Sequence, residues 1–378
     1  MSLERIKAKL RSLEIETPSW GYSDSGTRFK VFHQLGAATT VEQRIDDAYQ
    51  VHRHTGIAPS VALHIPWDMV DDWQALKEYA EDKGMKIGAI NPNLFQENEY
   101  KLGSLAHTNP QVQKKAIDHV LECVDIMKNT DSEILSLWLA DGTNYPGQGD
   151  FVARKRALED SLSQIYQSLE PDMTMLIEYK FFEPAFYHTD IADWGMATTF
   201  ANKLGEQAKT LVDLGHHPMG TNIEHIVAFL LDEEKLGGFH FNNRKYADDD
   251  LTTGSINPYE LFLIFLELVK GEDRYPGLKI AYMIDQAHNV KHKIEAMIQS
   301  VVNIQEAYAK ALLVDRQSLE EAQQNFDIVG AEEILLAAYK TDVRPLLAQI
   351  REEMGVPTDP LAAYRNSGHK ELVAQQRG

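Results

Sequence analysis

Four side chains able to ligate a metal ion stand at or near the ends of four consecutive apolar runs. Glu178 lies near the end of MTMLIEYK (173–180), Asp213 near the end of KTLVDL (209–214), His240 within GFHFNN (238–243) and Asp285 at the end of KIAYMID (279–285). A charge left buried without a partner is costly. One such acid is commonly a helix cap or a solvated loop residue; four in succession point to a shared task. Carboxylate oxygens with one imidazole suit a hard or borderline dication, Mn2+ foremost, with Co2+, Mg2+ or Zn2+ as alternatives. His216 in DLGH and the pair Asp248 and Asp250 in YADDDL offer a second set of donors. Two divalent ions per subunit are therefore expected, with Glu178 shared between them. Two dications and Lys180, which follows Glu178 by two residues on the same strand face, balance the charge of Glu178, Asp213, Asp248, Asp250 and Asp285. The bare acids would repel one another.

Aromatic residues narrow the chemistry. Trp20, Phe29, Trp67, Trp138 and Phe182 all fall near strand ends or in the loops that follow. They are either ordinary core residues or flat apolar walls for the C–H face of a sugar. No arginine cluster stands beside the acids, Arg244 being the nearest, so an unphosphorylated sugar is expected.

For the four ligands to meet, their runs must be neighbouring parallel strands whose C-terminal ends ring one mouth. The pattern allows this. Strand candidates at 29–33, 61–67, 86–91, 133–139, 173–180, 209–214, 238–243 and 279–285 alternate with helical periodicity at 41–55, 70–83, 109–128, 150–168, 194–205, 222–233 and 257–270. Most strands are apolar throughout, as parallel strands buried on both faces are. Thr40 and Asn109-Pro110 are helix start signals. Eight alternations predict an α/β fold, a (β/α)8 TIM barrel, with an open doubly wound sheet as the alternative. The segment GTNYPGQG (142–149) lacks the Lys-Ser/Thr of a phosphate-binding loop and reads as a strand-to-helix loop. Residues 1–287 form the expected catalytic barrel. Residues 288–378, with helices at 288–312, 317–326 and 331–354 and a polar tail, form a C-terminal helical extension expected in subunit contacts.

Composition sets the remaining bounds. The chain has 378 residues, 43% hydrophobic and 25% charged, an ordinary globular balance. Its net charge of −20 repels phosphate backbones, so no nucleic-acid partner is expected. A single cysteine, Cys123, allows no disulfide framework. The N-terminal MSLERIKAKLRSLEIETPS has no apolar core of a signal peptide, and ELFLIFLELV (260–269) is too short to span a bilayer. A cytoplasmic protein with no membrane partner is the expectation.

The ordered motifs carry a resemblance. E-x-K (Glu178, Lys180), D-x-x-H (Asp213, His216), a ligand on the seventh strand, D-x-D (Asp248, Asp250) and Asp285 resemble the two-metal xylose isomerase-like aldose–ketose isomerases. The stretches HIPWD, INPNLF, LWLADGTNYPGQ, IEYKFFEPAFYHTD, VDLGHH, HFNNRKYADDDL and IDQAHNV are most similar to the broad-specificity bacterial L-rhamnose isomerases, over residues 20–290 or so. Asp213 stands where xylose isomerases usually carry a glutamate, and His240 where they carry an aspartate; both agree with the rhamnose pattern. The resemblance implies that Glu178, Asp213, His240 and Asp285 hold a structural metal, and that Glu178, His216, Asp248 and Asp250 hold a catalytic one. It implies that Lys180 contacts the oxygen near the reacting carbonyl. His64 would bind the sugar and assist ring opening, with Asp68 as its helper. Trp20, Phe29 and Trp138 would line the apolar wall. Asp285, Lys180 and His64 would thus carry catalysis. A homotetramer is implied, each site receiving Phe29 from a neighbour. The expected reaction interconverts L-rhamnose and L-rhamnulose, and related aldoses, by a metal-assisted hydride shift. Alternatives are a keto-sugar 3-epimerase of the same barrel superfamily, and a non-catalytic metal- or sugar-binding protein.

Overall fold

The computed structural model describes residues 1–26, 30–183 and 187–378. Eight parallel strands close a barrel in sequence order: Glu16–Pro18, Ser60–Ile65, Lys86–Pro92, Ile134–Leu137, Thr174–Glu178, Ala208–Asp213, Leu236–Phe241 and Ala281–Ile284. The (β/α)8 architecture is as the alternation predicted. Local signals place the helices. Thr40 accepts a hydrogen bond from Gln43 N to start Val41–Thr55, which stops at Gly56 with φ 76°. Asn109 caps Pro110–Thr130, with the proline at the first turn. The helix Lys293–Leu312 packs on both Pro258–Arg274 and Val41–Thr55, filling the last gap in the outer ring.

The first strand is a correction. The run 29–33 was expected in the barrel, but Val31–Phe32 are exposed and, among the described residues, pair only with Ser25–Gly26 in a two-stranded ribbon. Phe29 itself lies outside the described residues. The barrel strand is Glu16–Pro18, whose register joins Glu16 to Ser60 on one side and to Met283 on the other. Three residues that include a glutamate and a proline give no strand pattern. Glu16 is buried, accepting from Ala89 N at 3.0 Å and Ser60 Oγ at 3.1 Å. Burial raises its pKa. Gly88 makes room for it: a Cβ there would fall 1.5 Å from Glu16 Oε2.

The C-terminal region also departs from expectation in detail. The single helix read at 331–354 is two, Ile328–Lys340 and Arg344–Glu353, broken where Asp342 accepts from Arg344 N. The polar tail is helical, Pro360–Asn366 and His369–Arg377. Arg377 donates to Asp47 Oδ2 at 2.7 Å and to Gly36 O, tying the last helix to the root of the first strand-to-helix loop. The loop beginning at Gly142 contributes Gly142–Thr143 to a three-stranded ribbon with Phe182–Glu183 and Tyr187–Thr189. Among the described residues, no helix is long and apolar enough to cross a membrane.

Candidate active site at the barrel mouth

The C-terminal ends of strands five to eight bring the acids and imidazoles together. Glu178, last in the fifth strand, lies between two imidazoles: His216 Nδ1 is 3.1 Å from Oε1 and His240 Nδ1 is 3.3 Å from Oε2. Asp213, last in the sixth strand, is fully buried and oriented by Asn242 Nδ2 at 3.0 and 3.1 Å and by Gly215 N at 2.6 Å. Gly215 is needed there, since a Cβ would come within 2.7 Å of Asp248 Oδ1 and 3.1 Å of Asp213 Oδ1. Ligand atoms of Glu178, Asp213 and His240, and again of Asp213, His216 and Asp248, all lie within 4.8 Å of one another. Asp213 is thus common to both groups, while Glu178 touches an imidazole of each. Asp285, just after the eighth strand, is 3.9 Å from His240 Nδ1. Asp250 accepts from Asn242 Nδ2 at 3.3 Å. Both stand outside the two tight groups but line the same cavity. In the loop, Asp249 accepts from the backbone N–H of Lys245, Tyr246 and Ala247, so only Asp248 and Asp250 face the site.

The electrostatics are strained by so many acids. Burial, then repulsion from Glu178 and Asp248, pushes Asp213 up to about 7 against the pull of His216 and His240. Asp250 is raised further by burial and by Asp248, Asp285 and Asp213. Burial opposes ionisation of Glu178 too, but His240 and His216 outweigh it and hold the group down at about 2. Burial alone would lower His240; Glu178, Asp285 and Asp213 lift it to about 9. Lys180 Nζ donates to Asp248 Oδ2 at 2.6 Å and to Glu183 Oε2 at 2.5 Å. These two carboxylates override its burial and raise its pKa.

Facing the acids across a cavity of about 200 Å³ is an aromatic wall. His64 stacks on Trp67 at 3.8 Å between centroids and meets Trp20 edge-on at 5.6 Å. Phe95 and Trp138 pack edge-to-face at 5.1 Å, and Lys180 Nζ sits 5.2 Å above the Trp138 ring. Burial holds His64 neutral, at about 3, helped by His119 and Arg44. Asp68 does not reach the His64 ring. Its carboxylate accepts from His64 N at 2.7 Å, from Ser19 Oγ at 2.5 Å and from Arg44, so it fixes the backbone beneath the imidazole. Arg244 donates to Leu214 O and does not line the cavity.

Residues 33–282 match the family described as Xylose isomerase-like TIM barrel. The chain belongs to the xylose isomerase-like TIM barrel family. Across its whole length it is 44% identical, over 383 aligned residues and 89% of the relative, to a protein of Rhizobium meliloti named "Probable sugar isomerase". A second protein of that name, from Mesorhizobium japonicum, is 43% identical over the same span. The xylose isomerase of Thermus thermophilus is 26% identical over 247 residues, 59% of this chain and 62% of that one. Among solved structures, an L-ribulose 3-epimerase aligns with TM-score 0.57 and 14% identity, covering 80% of this chain and 98% of its own. At that identity the likeness concerns the barrel alone.

A xylose isomerase-like barrel implies divalent metal, and the donors here fit one. Among the described residues, His240 Nδ1 and Asp248 Oδ1 are buried without a hydrogen-bond partner, and the crowded acids need positive charge to remain ionised together. Several cavity residues escaped the sequence reading. Phe95, Asn91 and Ser136 line the cavity, and Glu183 grips Lys180. Asn91 and Phe95 lie in INPNLF and Glu183 in IEYKFFEPAFYHTD, stretches quoted for the resemblance without a role for these residues, and Ser136 stands out as the one hydroxyl inside the apolar run ILSL.

Proposed function

We propose that this xylose isomerase-like barrel is a metal-dependent aldose–ketose isomerase that interconverts L-rhamnose and L-rhamnulose and acts on related aldoses. The observation that carries this reading is the pair of three-ligand groups joined at Asp213, with the Lys180 ammonium beside them and an aromatic wall opposite. The two relatives named as sugar isomerases support it, and the quoted motifs favour the rhamnose branch.

In this reading Glu178, Asp213, His216, His240, Asp248, Asp250 and Asp285 hold two divalent ions, with Mn2+ the first choice. When bound, such ions polarise a carbonyl and acidify a neighbouring hydroxyl. The chain's own residues do the rest. Lys180, held by Asp248 and Glu183, donates to the sugar oxygen at the reacting end. Neutral His64 donates a proton to the ring oxygen as the C1–O5 bond breaks and recovers one from the O1 hydroxyl as the carbonyl forms, opening the pyranose. Trp20, Trp67 and Trp138 cover the C–H face and exclude water. The hydrogen on C2 moves to C1 with its electron pair, while the O2 proton travels to O1 by way of Asp285. A homotetramer that shares Phe29 between subunits belongs to the same proposal.

The test is purified protein with Mn2+ and L-rhamnose, followed by 13C NMR. Appearance of L-rhamnulose is expected. Conversion of a ketose to its C3 epimer, with no aldose formed or consumed, would move the assignment to the 3-epimerases.

A further inference from the structure

The cavity wall built by strands two to four carries a hydroxyl with no partner among the described residues. Ser136 sits within the fourth strand between buried Leu135 and Leu137. Its side chain lines the cavity. Its Oγ is buried and has no hydrogen-bond partner among the described residues. Trp138, two residues on and on the same strand face, lines the cavity too. On the adjoining strand, Asn91 Nδ2 donates its two hydrogens to Leu63 O at 3.1 Å and Ala89 O at 3.4 Å, so it does not serve Ser136. A lone hydroxyl in a buried strand is a net cost unless something pairs with it, and alanine would fill the position more cheaply. Its partner therefore comes from the cavity, as water when the site is empty and as a ligand group when it is filled.

The direction of the sugar identifies that partner, and this step rests on the isomerase reading. The acids and Lys180 occupy the wall of strands five to eight, so the carbonyl end belongs there. The remote end of the chain then crosses to strands two to four. We propose that Ser136 is a specificity-determining residue that binds the hydroxyl at the remote end of the sugar, favouring a terminal hydroxymethyl over a terminal methyl. The site is then not tailored to a 6-deoxy sugar, and this is the physical basis on which it takes related aldoses.

L-mannose and L-rhamnose share every stereocentre and differ only by the hydroxyl on C6. Their dissociation constants for the full-length, Mn2+-loaded protein can be read from tryptophan fluorescence, since Trp20, Trp67 and Trp138 line the cavity. Wild type is expected to bind L-mannose about fivefold to tenfold more tightly, the size of one hydrogen bond. Ser136→Ala is expected to bring the ratio near one by weakening L-mannose alone, with a melting temperature equal to or above wild type. An unchanged ratio in Ser136→Ala overturns the proposal, as does a wild type that binds neither sugar or a variant that loses its fold. Turnover is followed in the same samples. A shifted binding ratio without turnover of either sugar leaves the Ser136 contact standing and removes the isomerase reading.

Discussion

Trp20 Nε1 donates to Asp285 Oδ1 at 2.8 Å, joining the loop after the first strand to the residue after the last. One side chain thereby lines the cavity and acts as an orienting donor for an acid, and in the proposed function it is also a wall for the sugar. Trp20→Phe keeps the wall and removes the donor. A fall in kcat of about tenfold is expected, the worth of a hydrogen bond to a charged group, with little change in KM. Steady-state kinetics separate the two; a change confined to KM would mean that the indole acts only as a surface.

Lys180 is clamped between Asp248 and Glu183. Lys180→Met leaves two carboxylates facing each other at the cavity. A loss in kcat/KM of roughly 100-fold or more is expected, about 3 kcal/mol. Lys180→Arg is expected not to restore it, because a planar guanidinium cannot replace a point charge in so tight a clamp. The check is kinetics alongside a melting curve that shows the fold intact.

Chelation is expected to abolish activity and to lower the melting temperature, since the buried acids then repel without compensation. Adding Mn2+ or Co2+ should restore both. Glu178→Gln and Asp285→Asn are expected to be inactive at saturating metal. Full turnover by protein shown to be metal-free by elemental analysis would remove the two-metal assignment.

Direct transfer of the hydrogen predicts little solvent label. In D2O, early L-rhamnulose should carry almost no deuterium at C1 by NMR. Near-complete incorporation would replace the hydride shift with an enediol route and give a side chain the role of base.

His64 supplies a pH dependence of stability. Its folded pKa is held at about 3 by burial, against roughly 6.5 in an unfolded chain. The unfolded state therefore binds the extra proton first. Stability from this group is complete above about 6.5 and is lost as pH falls toward about 3. His64→Gln should show a smaller drop in melting temperature between pH 7 and pH 5 than wild type, as calorimetry would reveal.

The strand-end acids were legible because a charge beside an apolar run breaks the pattern that a buried parallel strand otherwise imposes. Glu178, Asp213 and Asp285 each stand out in this way, and His240 does so as an imidazole within its run. Glu16–Pro18 was not legible, because three residues held only by their neighbours' backbones need no apolar pattern of their own. Asp68, which the resemblance offers as a helper of His64, bonds the main chain instead; a likeness of motif does not fix which atom a short carboxylate meets. Phe95 lies in a loop and Glu183 in the ribbon outside the barrel, where neighbourhood is decided by the closed ring and not by sequence distance.

Gly215 stands between Asp213 and Asp248 with no room for even one methyl group, while the main chain around it carries no strain that calls for glycine. The alanine variant at this position should therefore yield a well-folded barrel with a jammed mouth. Such a protein would be a matched blank for ligand screens, identical in surface, charge and aromatic content to the working molecule and unable to host its cargo.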